Sequence, residues 1–452
     1  MNVLAEIWFD WQTDGWPLVM ALLVGLGCGL LGTVFLLRQA ALLGDAVSHS
    51  VLPGIAGGLL LAGFLHPNGE DEVFGLSLNM LYILGGALAA GLLSTAIIEG
   101  LSRYTRIKPD TALAAVFPAF FAAGVILIDV LGSDAHFDSG CIFYGSLEVI
   151  GEFHQVAPTL AATGLVTLFF VAARKEILIS SFDANLARLL GLRLRLVNGL
   201  LISLLAATVV CAFEAVGAIL VVAFLIIPPA AAYLFVDRFH HVLLLSAAIG
   251  MASGAVGCWL TNVLGSEAIG FETARAPTMA IVAGLFFGIA FLFAPRRGVI
   301  AQWRTRGALR RRILDENLLG ALYRLARIGE GATDAAAPAT KVGLADAASA
   351  LRYPTARLLP AMRREVKRGE AIDHGDGTVS LTAEGTSRIQ RILRGHRLWE
   401  SYLASELGAA PDHVHDAADR MEHYLQPSLV DELDRLLEHP RKDPHGREIP
   451  SV

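Results

Sequence analysis

The sequence has few of the residues that build several common kinds of site. None of its four cysteines, Cys28, Cys141, Cys211 and Cys258, has a CxxC partner. This argues against a zinc frame or a disulfide framework and indicates small buried side chains. The chain has only five lysines, and none stands in a GxxxxGK(S/T) phosphate loop. The sequence therefore provides no phosphate loop for nucleotide hydrolysis.

Positive charge is scarce in the first two thirds of the chain. Residues 1–297 hold 13 Lys/Arg and 20 Asp/Glu, whereas residues 298–452 hold 23 Lys/Arg and 22 Asp/Glu. Hydrophobic residues make up 54% of the sequence, which is above the roughly 45–50% of soluble proteins. The uneven charge predicts a membrane part followed by a soluble part.

Nine apolar runs in the first part approach the roughly 20 residues that a hydrocarbon core requires. They lie near residues 17–37, 48–65, 76–98, 111–131, 156–173, 196–213, 216–235, 241–263 and 276–294. Runs 48–65 and 216–235 are the least well defined, so eight spans is the alternative. The predicted fold class is an all-α polytopic membrane protein with eight or nine transmembrane helices.

Loop charge orients these spans. In a nine-span arrangement twelve of the basic residues lie on one side, and only Arg275 lies on the other. The positive-inside rule makes the first side cytoplasmic. The sequence therefore predicts a multi-pass protein of the plasma (inner) membrane, with everything after Pro295 in the cytoplasm.

The soluble part begins with a basic juncture. Beyond it, residue spacing predicts a helix over 312–328, short helices near 343–351 and 355–368, and a hairpin over 371–381. This order of elements is that of a winged helix, and helical spacing resumes after it. The predicted domains are a transmembrane domain 1–298, the juncture 299–311, a winged-helix-like domain 312–381 and a helical domain 382–452.

Asp45 and His49 stand in the polar run before the second apolar span. They are four residues apart and would share one face of a helix. Manganese, iron and zinc accept a carboxylate together with an imidazole, and ionisable groups at membrane depth are usually functional. The alternative is structural, with Asp45 capping a helix and His49 packed beside it. The spacing alone does not decide between a transport path and a cap.

Residues 182–192 form an amphipathic segment on the side predicted to be cytoplasmic. Apolar side chains alternate there with Asp183, Asn185 and Arg188, and Gly191 closes the segment. A short element of this kind can dock on another protein. A loop that lies on the membrane surface is the alternative, and physical arguments alone favour it.

The densest group of metal-binding residue types lies near the C-terminus. The candidate ligands, all imidazoles or carboxylates, are His396, Glu400, His415, Asp419, Glu422 and His423. At about 100° per residue the last four fall on one helix face, and the first two are one turn apart. Such donors without a thiol suit Mn²⁺, Fe²⁺ or Zn²⁺. A solvated polar helix is the alternative.

Several segments of the apolar part resemble the metal-type permeases of ABC importers. They are Gly44–Gly54, Ile107–Phe121, His136–Leu147, Phe182–Leu192, Ala215–Ala232 and Arg275–Gly298. The resemblance covers about residues 15–298. It implies a homo- or heterodimeric permease that imports zinc, manganese or iron and is not itself an enzyme. Its implied partners are a cytoplasmic ATP-binding subunit and an extracytoplasmic metal-binding protein.

The resemblance also assigns roles to the two polar motifs of the membrane part. Asp45 and His49 are expected to line the transport path. The segment 182–192 is expected to dock on the ATPase. Its docking residues would be Phe182, Asp183, Arg188 and Gly191.

The C-terminal part resembles the metal-binding and dimerisation domain of diphtheria-toxin-repressor-like regulators. The segments that carry the resemblance are LTAEG (381–385), HRLWESYL (396–403), VHDAADRMEHYL (414–425) and HPRKDPHGREIP (439–450). It implies a primary metal site from Asp419, Glu422 and His423. It implies a second site from the remaining three candidates. Position 419 is Cys in iron-type members and a carboxylate in manganese-type members, so Asp419 favours manganese.

This part also departs from the pattern of those regulators. Where their first helix supplies a primary-site ligand, the sequence has Asn317, and Asp315 or Glu316 are the alternatives. Pro360 falls within the predicted recognition helix, where it removes a hydrogen bond unless it begins the helix. The cations available for DNA phosphates, or else for a solvated face, are Arg363, Arg364, Lys367 and Arg368. DNA is therefore the less favoured partner.

Three functions remain open from the sequence. The favoured one is a permease of an ABC importer whose cytoplasmic domain senses the metal, with Mn²⁺, Fe²⁺ or Zn²⁺ as both substrate and regulatory ligand. The second is a membrane-tethered or proteolytically released metal-dependent repressor of metal uptake. The third is a permease whose C-terminal domain only dimerises.

Overall fold

A computed structural model of the chain describes most of its residues. The described residues are 11–40, 46, 50–65, 72–73, 76–131, 145, 147–265, 273–330 and 340–451. The chain divides into two compact units, Met1–Ala301 and Gln302–Val452.

The described residues of the first unit form helices and one small hairpin. Its helices before residue 150 are α1 Trp11–Leu37, α2 Leu52–Leu65, α3 Leu78–Tyr104 and α4 Pro109–Leu131. Strands β1 Glu72–Val73 and β2 Leu76–Ser77 pair antiparallel ahead of α3. The later helices are α5 Phe153–Ala172, α6 Arg174–Phe182, α7 Ala184–Leu189, α8 Leu194–Phe235, α9 Phe239–Gly265 and α10 Arg275–Phe293.

The apolar helices of this unit confirm the all-α polytopic fold. Six described helices are long and apolar enough to cross a membrane, and three shorter apolar segments accompany them. The nine together overlap the nine predicted runs. Helix α2 has only 14 residues, or about 21 Å at 1.5 Å per residue, which is short of the roughly 30 Å hydrocarbon core. This short length is the physical reason why run 48–65 is one of the least well defined spans.

Gly217 divides helix α8 at the junction of two predicted spans. Its φ of 71° and ψ of 167° are not helical, and glycine adopts this conformation without the steric penalty of a Cβ. The predicted spans 196–213 and 216–235 meet at this kink.

Helix α1 lies at the centre of the first unit and packs closely on α9. A Cβ on Gly25 would lie 2.6 Å from the carbonyl carbon of Gly250, so the two backbones touch, as small residues allow in membrane helices. The hydroxyls of Thr33 and Ser246 both donate to the carbonyl of Gly29, at 2.8 and 2.9 Å. These hydroxyls therefore find partners without a buried charge.

A buried ion pair joins three helices of this unit. Arg275, the one cation predicted on the extracytoplasmic side, donates from Nη2 to Asp14 Oδ1 over 2.6 Å. Asn262 donates to the other oxygen of Asp14 over 2.7 Å. The side chains of Arg275 and Asp14 are 12% and 5% exposed. Helices α1, α9 and α10 are thus tied together by a neutralised pair that the sequence did not predict.

The second unit has the predicted winged-helix order. Its first helix, α11 Val299–Glu330, includes the basic juncture within one continuous helix. The elements that follow are β3 Val342–Gly343, α12 Leu344–Leu351, α13 Thr355–Lys367, β4 Ala371–Asp373, β5 Thr378–Leu381, α14 Ala383–Ser405, α15 Pro411–Met421 and α16 Pro427–Leu436. The antiparallel sheet has the order β3–β5–β4. Strand β3 was not predicted.

Apolar side chains from seven elements, α11 to α14 and the three strands, form the larger core of the second unit. They include Leu322, Ala347, Leu358, Val379 and Ile389. Pro360 is the sixth residue of α13, so it does not begin the helix, and α13 nevertheless continues to Lys367.

Candidate metal centre

Two neighbouring helices bring the predicted C-terminal ligands together. Helix α14 presents His396 and Glu400 one turn apart, and α15 presents His415 and Asp419 with the same spacing. Helix α15 ends at Met421, so Glu422 and His423 lie just beyond the helix on whose single face they were predicted. Glu422 still has a helical backbone, with φ −53° and ψ −34°. The four side chains of the second run therefore still converge.

The first group of donor atoms surrounds the carboxylate of Glu400. Its Oε1 lies 2.8 Å from His415 Nδ1 and 3.1 Å from His396 Nε2. The two imidazole nitrogens are 3.2 Å apart. His396 and Glu400 are buried, whereas His415 is half-exposed. We call these three residues the imidazole-rich group.

The second group contains more carboxylates. Glu422 Oε2 lies 2.6 Å from His396 Nδ1, and Asp419 Oδ1 lies 3.5 Å from the same nitrogen. His423 Nε2 is 3.6 Å from the other oxygen of Glu422. We call Asp419, Glu422, His423 and their partner Glu316 the carboxylate-rich group.

Glu316 is the candidate of α11 that contacts a predicted ligand, in the region where Asn317 departs from the pattern of the regulators. Its Oε2 lies 2.7 Å from Nδ1 of His423, and both residues are buried. Asp315, the other alternative, points elsewhere: it accepts from Arg364 over 2.5 Å and from Arg368 over 3.3 Å. Asn317 lines the same cavity of about 840 Å³ as the two groups. Among the three acidic and amide candidates of α11, Glu316 has the geometry of a ligand.

His396 connects the two groups through its two ring nitrogens. If Nε2 belongs to the imidazole-rich group, as the resemblance implies, then Nδ1–H donates to Glu422. A carboxylate that accepts from the free nitrogen of a ligating histidine fixes the tautomer and the ring orientation. His396 takes part in both groups, so a change in either group affects the ring that the other group contacts.

Burial and hydrogen bonds shift several pKa values within the cluster. Burial opposes the charged form of His396, but the hydrogen bonds that its ring donates to Glu400 and Glu422 outweigh burial and raise its pKa to about 9. Burial likewise works against ionised Glu400, yet the two histidines lower its pKa to about 2. His423 and Arg312 lower the pKa of Glu316 despite its burial. In the metal-free cluster the His396 imidazolium thus contacts the carboxylates of Glu400 and Glu422.

The donor set fits a first-row divalent metal. Two triads of ligand atoms have all their separations within 4.8 Å: His396–Glu400–His415 and His396–Asp419–Glu422. Imidazole suits zinc and iron, and carboxylate suits manganese. Six predicted residues and Glu316 thus lie around one cavity, with donors that these metals accept.

The predicted transport-path residues Asp45 and His49 lie outside the described residues. Of their neighbours in sequence, Ala46 and Ser50 are buried. Ser50 Oγ lies 2.9 Å from Ser94 Oγ of α3.

The predicted docking segment is a capped helical turn. Helix α6 ends at Phe182, and the Asp183 carboxylate accepts the backbone N–H groups of Asn185 and Leu186, each over 2.9 Å. This carboxylate satisfies two of the free donors at the start of α7. Gly191 ends the segment with a φ of 75°, which favours glycine.

The surface of this segment is apolar and exposed. The exposed fractions are 65% for Phe182, 45% for Leu186, 85% for Leu189 and 59% for Leu190. Ala187 is fully buried and anchors the turn. The segment therefore presents a compact apolar knob on a well-defined backbone.

Arg38 positions the start of this segment, and sequence reasoning missed it. Its guanidinium donates to the hydroxyls of Ser180 and Ser181, at 2.8 and 3.0 Å, and to Asn198 over 2.6 Å. The end of α1 is thereby tied to α6 and α8. A single arginine after an apolar span was counted for orientation only, and no spacing rule links it to residues some 140 positions later in the chain.

Comparisons with known proteins agree with both parts of the fold. Residues 382–451 match the family model of the iron dependent repressor, metal binding and dimerisation domain. A manganese transport system membrane protein of Bacillus subtilis is 36% identical over 300 residues, which is 64% of this chain and 95% of that protein. A probable metal transport system membrane protein of Chlamydia trachomatis is 28% identical over 450 residues, or 95% of this chain and 94% of that protein.

A solved structure supports the membrane fold. PsaBC from Streptococcus pneumoniae, in complex with Fab, aligns with 63% of this chain and 92% of its own, with a TM-score of 0.52 and 31% identity. The family model of the ABC 3 transport family matches residues 15–294, which is more than half of the chain. The chain therefore belongs to the ABC 3 transport family, as a multi-pass membrane permease that also carries a repressor-type metal-binding domain.

Proposed function

We propose that the chain is the membrane-spanning subunit of an importer for a divalent transition metal, manganese before iron or zinc, and that its C-terminal unit senses the imported metal in the cytoplasm. One observation carries the proposal: an ABC-3 permease and a converging cluster of metal ligands lie on one chain. The carboxylate of Asp419 and the manganese named for a 36% identical relative support manganese. The proposal keeps the predicted domains: a transmembrane domain to residue 298, a juncture to 311, a winged-helix-like domain to 381 and a helical domain after it.

The transport partners follow from the permease assignment. A separate ATP-binding subunit supplies ATP hydrolysis and docks on the apolar knob of residues 182–192, where the predicted docking residues are Phe182, Asp183, Arg188 and Gly191. The exposed apolar surface of that knob supports this role. An extracytoplasmic metal-binding protein delivers the ion, and a second permease subunit completes the pathway. Asp45 and His49 line that pathway.

The ion pairs of α13 favour sensing over DNA binding. Arg364 and Arg368 both lie against the carboxylate of buried Asp315, at 2.5 and 3.3 Å. Phosphate contacts require cations that are free to face the backbone of the nucleic acid. Two of the four candidate cations are therefore already used within the domain. This weighs against the tethered-repressor function.

Helix α11 gives the sensor a route to the permease. It follows the last apolar helix directly in the chain and carries Glu316, which contacts His423 of the carboxylate-rich group. Metal binding that favours one arrangement of α11 needs a coupling free energy of only about 1–3 kcal/mol to shift the equilibrium between two arrangements 5- to 150-fold. The proposed effect of bound metal is inhibition when the cell is replete.

Uptake by the full chain tests the sensor. The chain is expressed with its ATP-binding subunit and binding protein, and Mn²⁺ uptake is measured at low and high cytoplasmic Mn²⁺. Wild type should slow at high Mn²⁺, whereas the double variant Glu422→Ala/His423→Ala should continue. His439→Asn is the matched control, since His439 is 70% exposed and bonds Asp434 outside the cluster. If the double variant slows as wild type does, the C-terminal unit does not regulate transport.

A further inference from the structure

A cavity of about 1150 Å³ in the first unit is rich in arginine. Its lining includes four guanidinium groups, from Arg38, Arg103, Arg188 and Arg193. Glu99 supplies the one carboxylate among the described residues of the lining. The cavity is therefore strongly cationic, and a ligand that matches it carries negative charge.

The cavity lies where two of the apolar helices end. Arg38 directly follows the apolar span Thr13–Leu37 of α1, and Arg103 stands in the last turn of α3, whose span is Leu81–Tyr104. Both ends fall on the side that loop charge predicts to be cytoplasmic. The cytoplasmic leaflet carries the anionic lipids of a membrane. The arginines of the cavity therefore lie at the depth of negatively charged headgroups.

Arg38 is held firmly in the cavity wall, but only by neutral groups. Its Nε donates to Ser181 over 3.0 Å, its Nη1 to Asn198 over 2.6 Å and its Nη2 to Ser180 over 2.8 Å. Among the residues that the structure describes, no carboxylate pairs with this partly buried guanidinium. A cation withdrawn from water is stabilised by a nearby anion. A guanidinium has five N–H donors, so two N–H groups of Arg38 remain for such a ligand.

The rest of the lining matches the other parts of a phospholipid. Ser102 and Asn198 add a hydroxyl and an amide, which suit the hydroxyls of a glycerol headgroup. Leu192, Leu194 and Leu196 add an apolar side, and Leu196 is 54% exposed. The volume exceeds the roughly 300–1,000 Å³ of most small-molecule sites, so a free phosphate ion would leave most of it empty. The lining therefore favours an amphipathic ligand over a small anion.

We propose that this cavity binds an anionic phospholipid of the cytoplasmic leaflet, with its phosphate among the four guanidinium groups and its acyl chains against the leucines. The site does not depend on the metal-sensing function of the C-terminal unit. The lipid would bridge the end of α1, the last turn of α3 and the start of α8, which contribute Arg38, Arg103 and Arg193. Arg188 belongs to the segment 182–192, so the lipid lies beside the knob on which the ATP-binding subunit is proposed to dock.

Native mass spectrometry of the full chain in detergent, titrated with phosphatidylglycerol, tests the site. Phosphatidylcholine, whose phosphate is offset by a positive choline, should bind more weakly to wild type. Arg103→Gln/Arg193→Gln should weaken binding of phosphatidylglycerol by roughly 30-fold, or about 5-fold for each arginine near an anionic headgroup. The matched control is Arg106→Gln/Arg238→Gln, which removes two exposed arginines of the same side that do not line the cavity. The control should bind as wild type does.

Glu99→Gln should have the opposite effect. It removes the carboxylate of the described lining, so phosphatidylglycerol should bind about 5-fold more tightly. A misfolded variant cannot produce such a gain, and the test therefore holds even if the arginine variant is unstable.

Three results would overturn the proposal. The first is an affinity for phosphatidylglycerol that neither Arg103→Gln/Arg193→Gln nor Glu99→Gln changes. The second is displacement of the lipid from wild type by inorganic phosphate alone, which would make the cavity a site for the free ion. The third is an arginine variant that keeps the lipid but no longer co-purifies with the ATP-binding subunit, which would assign the cavity to that subunit.

Discussion

The two units handle buried polarity in opposite ways. In the membrane unit the buried hydroxyls of Thr33 and Ser246 bond to backbone carbonyls, and the pair Asp14–Arg275 is neutral as a whole. In the C-terminal unit, imidazoles and carboxylates converge on one cavity and share protons. A hydrocarbon solvent penalises any charge without a partner, whereas an aqueous one allows charges to be gathered for a ligand. The first unit therefore pairs or neutralises its buried polar groups, whereas the second gathers ionisable groups that could hold a metal ion.

The largest expected effect comes from the membrane unit. Asp45→Asn or His49→Ala should abolish Mn²⁺ uptake, because few polar groups are available to replace a ligand in an apolar path. The double variant Glu422→Ala/His423→Ala should leave uptake at low cytoplasmic Mn²⁺ unchanged. Both are measured by radiolabelled Mn²⁺ uptake with the ATP-binding subunit present.

Co-purification with the ATP-binding subunit is the control for assembly in that experiment. Asp45→Glu, which keeps the carboxylate, should retain part of the uptake. Wild-type uptake by both Asp45→Asn and His49→Ala would leave these residues only a structural role.

The sequence predicted features that depend on local spacing. The apolar runs and the i, i+4 pairs at His396 and His415 require only neighbours in the chain, so a helical period reveals them. The kinked helix at Gly217 also follows two adjacent apolar runs. Spans, winged-helix order and most of the metal cluster could thus be predicted.

Contacts between distant residues could not be predicted in this way. Arg275 pairs with Asp14 across 261 positions, and His423 meets Glu316 across 107. The resemblance placed Asn317 at the ligand position with Asp315 or Glu316 as alternatives, and the spacing could not choose among them, since the side chain that faces the cluster depends on how α11 packs. His445 was not among the predicted residues, because a loop has no periodicity and only the fold of the tail brings its Nε2 to 3.9 Å from Glu400 Oε1.

The next effect in size concerns the stability of the membrane unit. Asp14→Ala leaves the buried guanidinium of Arg275 uncompensated, which should cost roughly 3–5 kcal/mol. Asp237→Ala breaks the pair with Arg297, 2.6 Å apart but 51% and 38% exposed, and should cost at most about 1 kcal/mol. Thermal unfolding of the full chain in detergent compares the two. Equal shifts in the unfolding temperature of the two variants would mean that the pair Asp14–Arg275 is as solvated as a surface pair.

The smallest effect is a pH dependence confined to the C-terminal unit. In the metal-free protein the pKa of His396 is raised from 6.5 to about 9, so the ring is charged at neutral pH. Its contribution to the stability of the metal-free unit is complete below pH 6.5 or so and is lost as pH rises through about 9. Metal binding needs the unprotonated ring, and it therefore has the opposite trend. Affinity for Mn²⁺ should rise about tenfold per pH unit between roughly 6.5 and 9, with about one proton released per ion.

Calorimetric titrations in two buffers of different ionisation enthalpy measure both the affinity and the released protons. Glu422→Gln removes one of the two carboxylates that raise the pKa of His396, so the variant should release fewer protons at pH 8 even if it binds more weakly. The exposed His439 is again the matched control, and His439→Asn should leave proton release unchanged. An affinity that stops rising at pH 6.5 in wild type would show that His396 titrates normally. The His396 ring would then be uncharged before the metal binds. In that case the two units would differ in their ligand residues, but neither would hold an imidazolium among its buried groups.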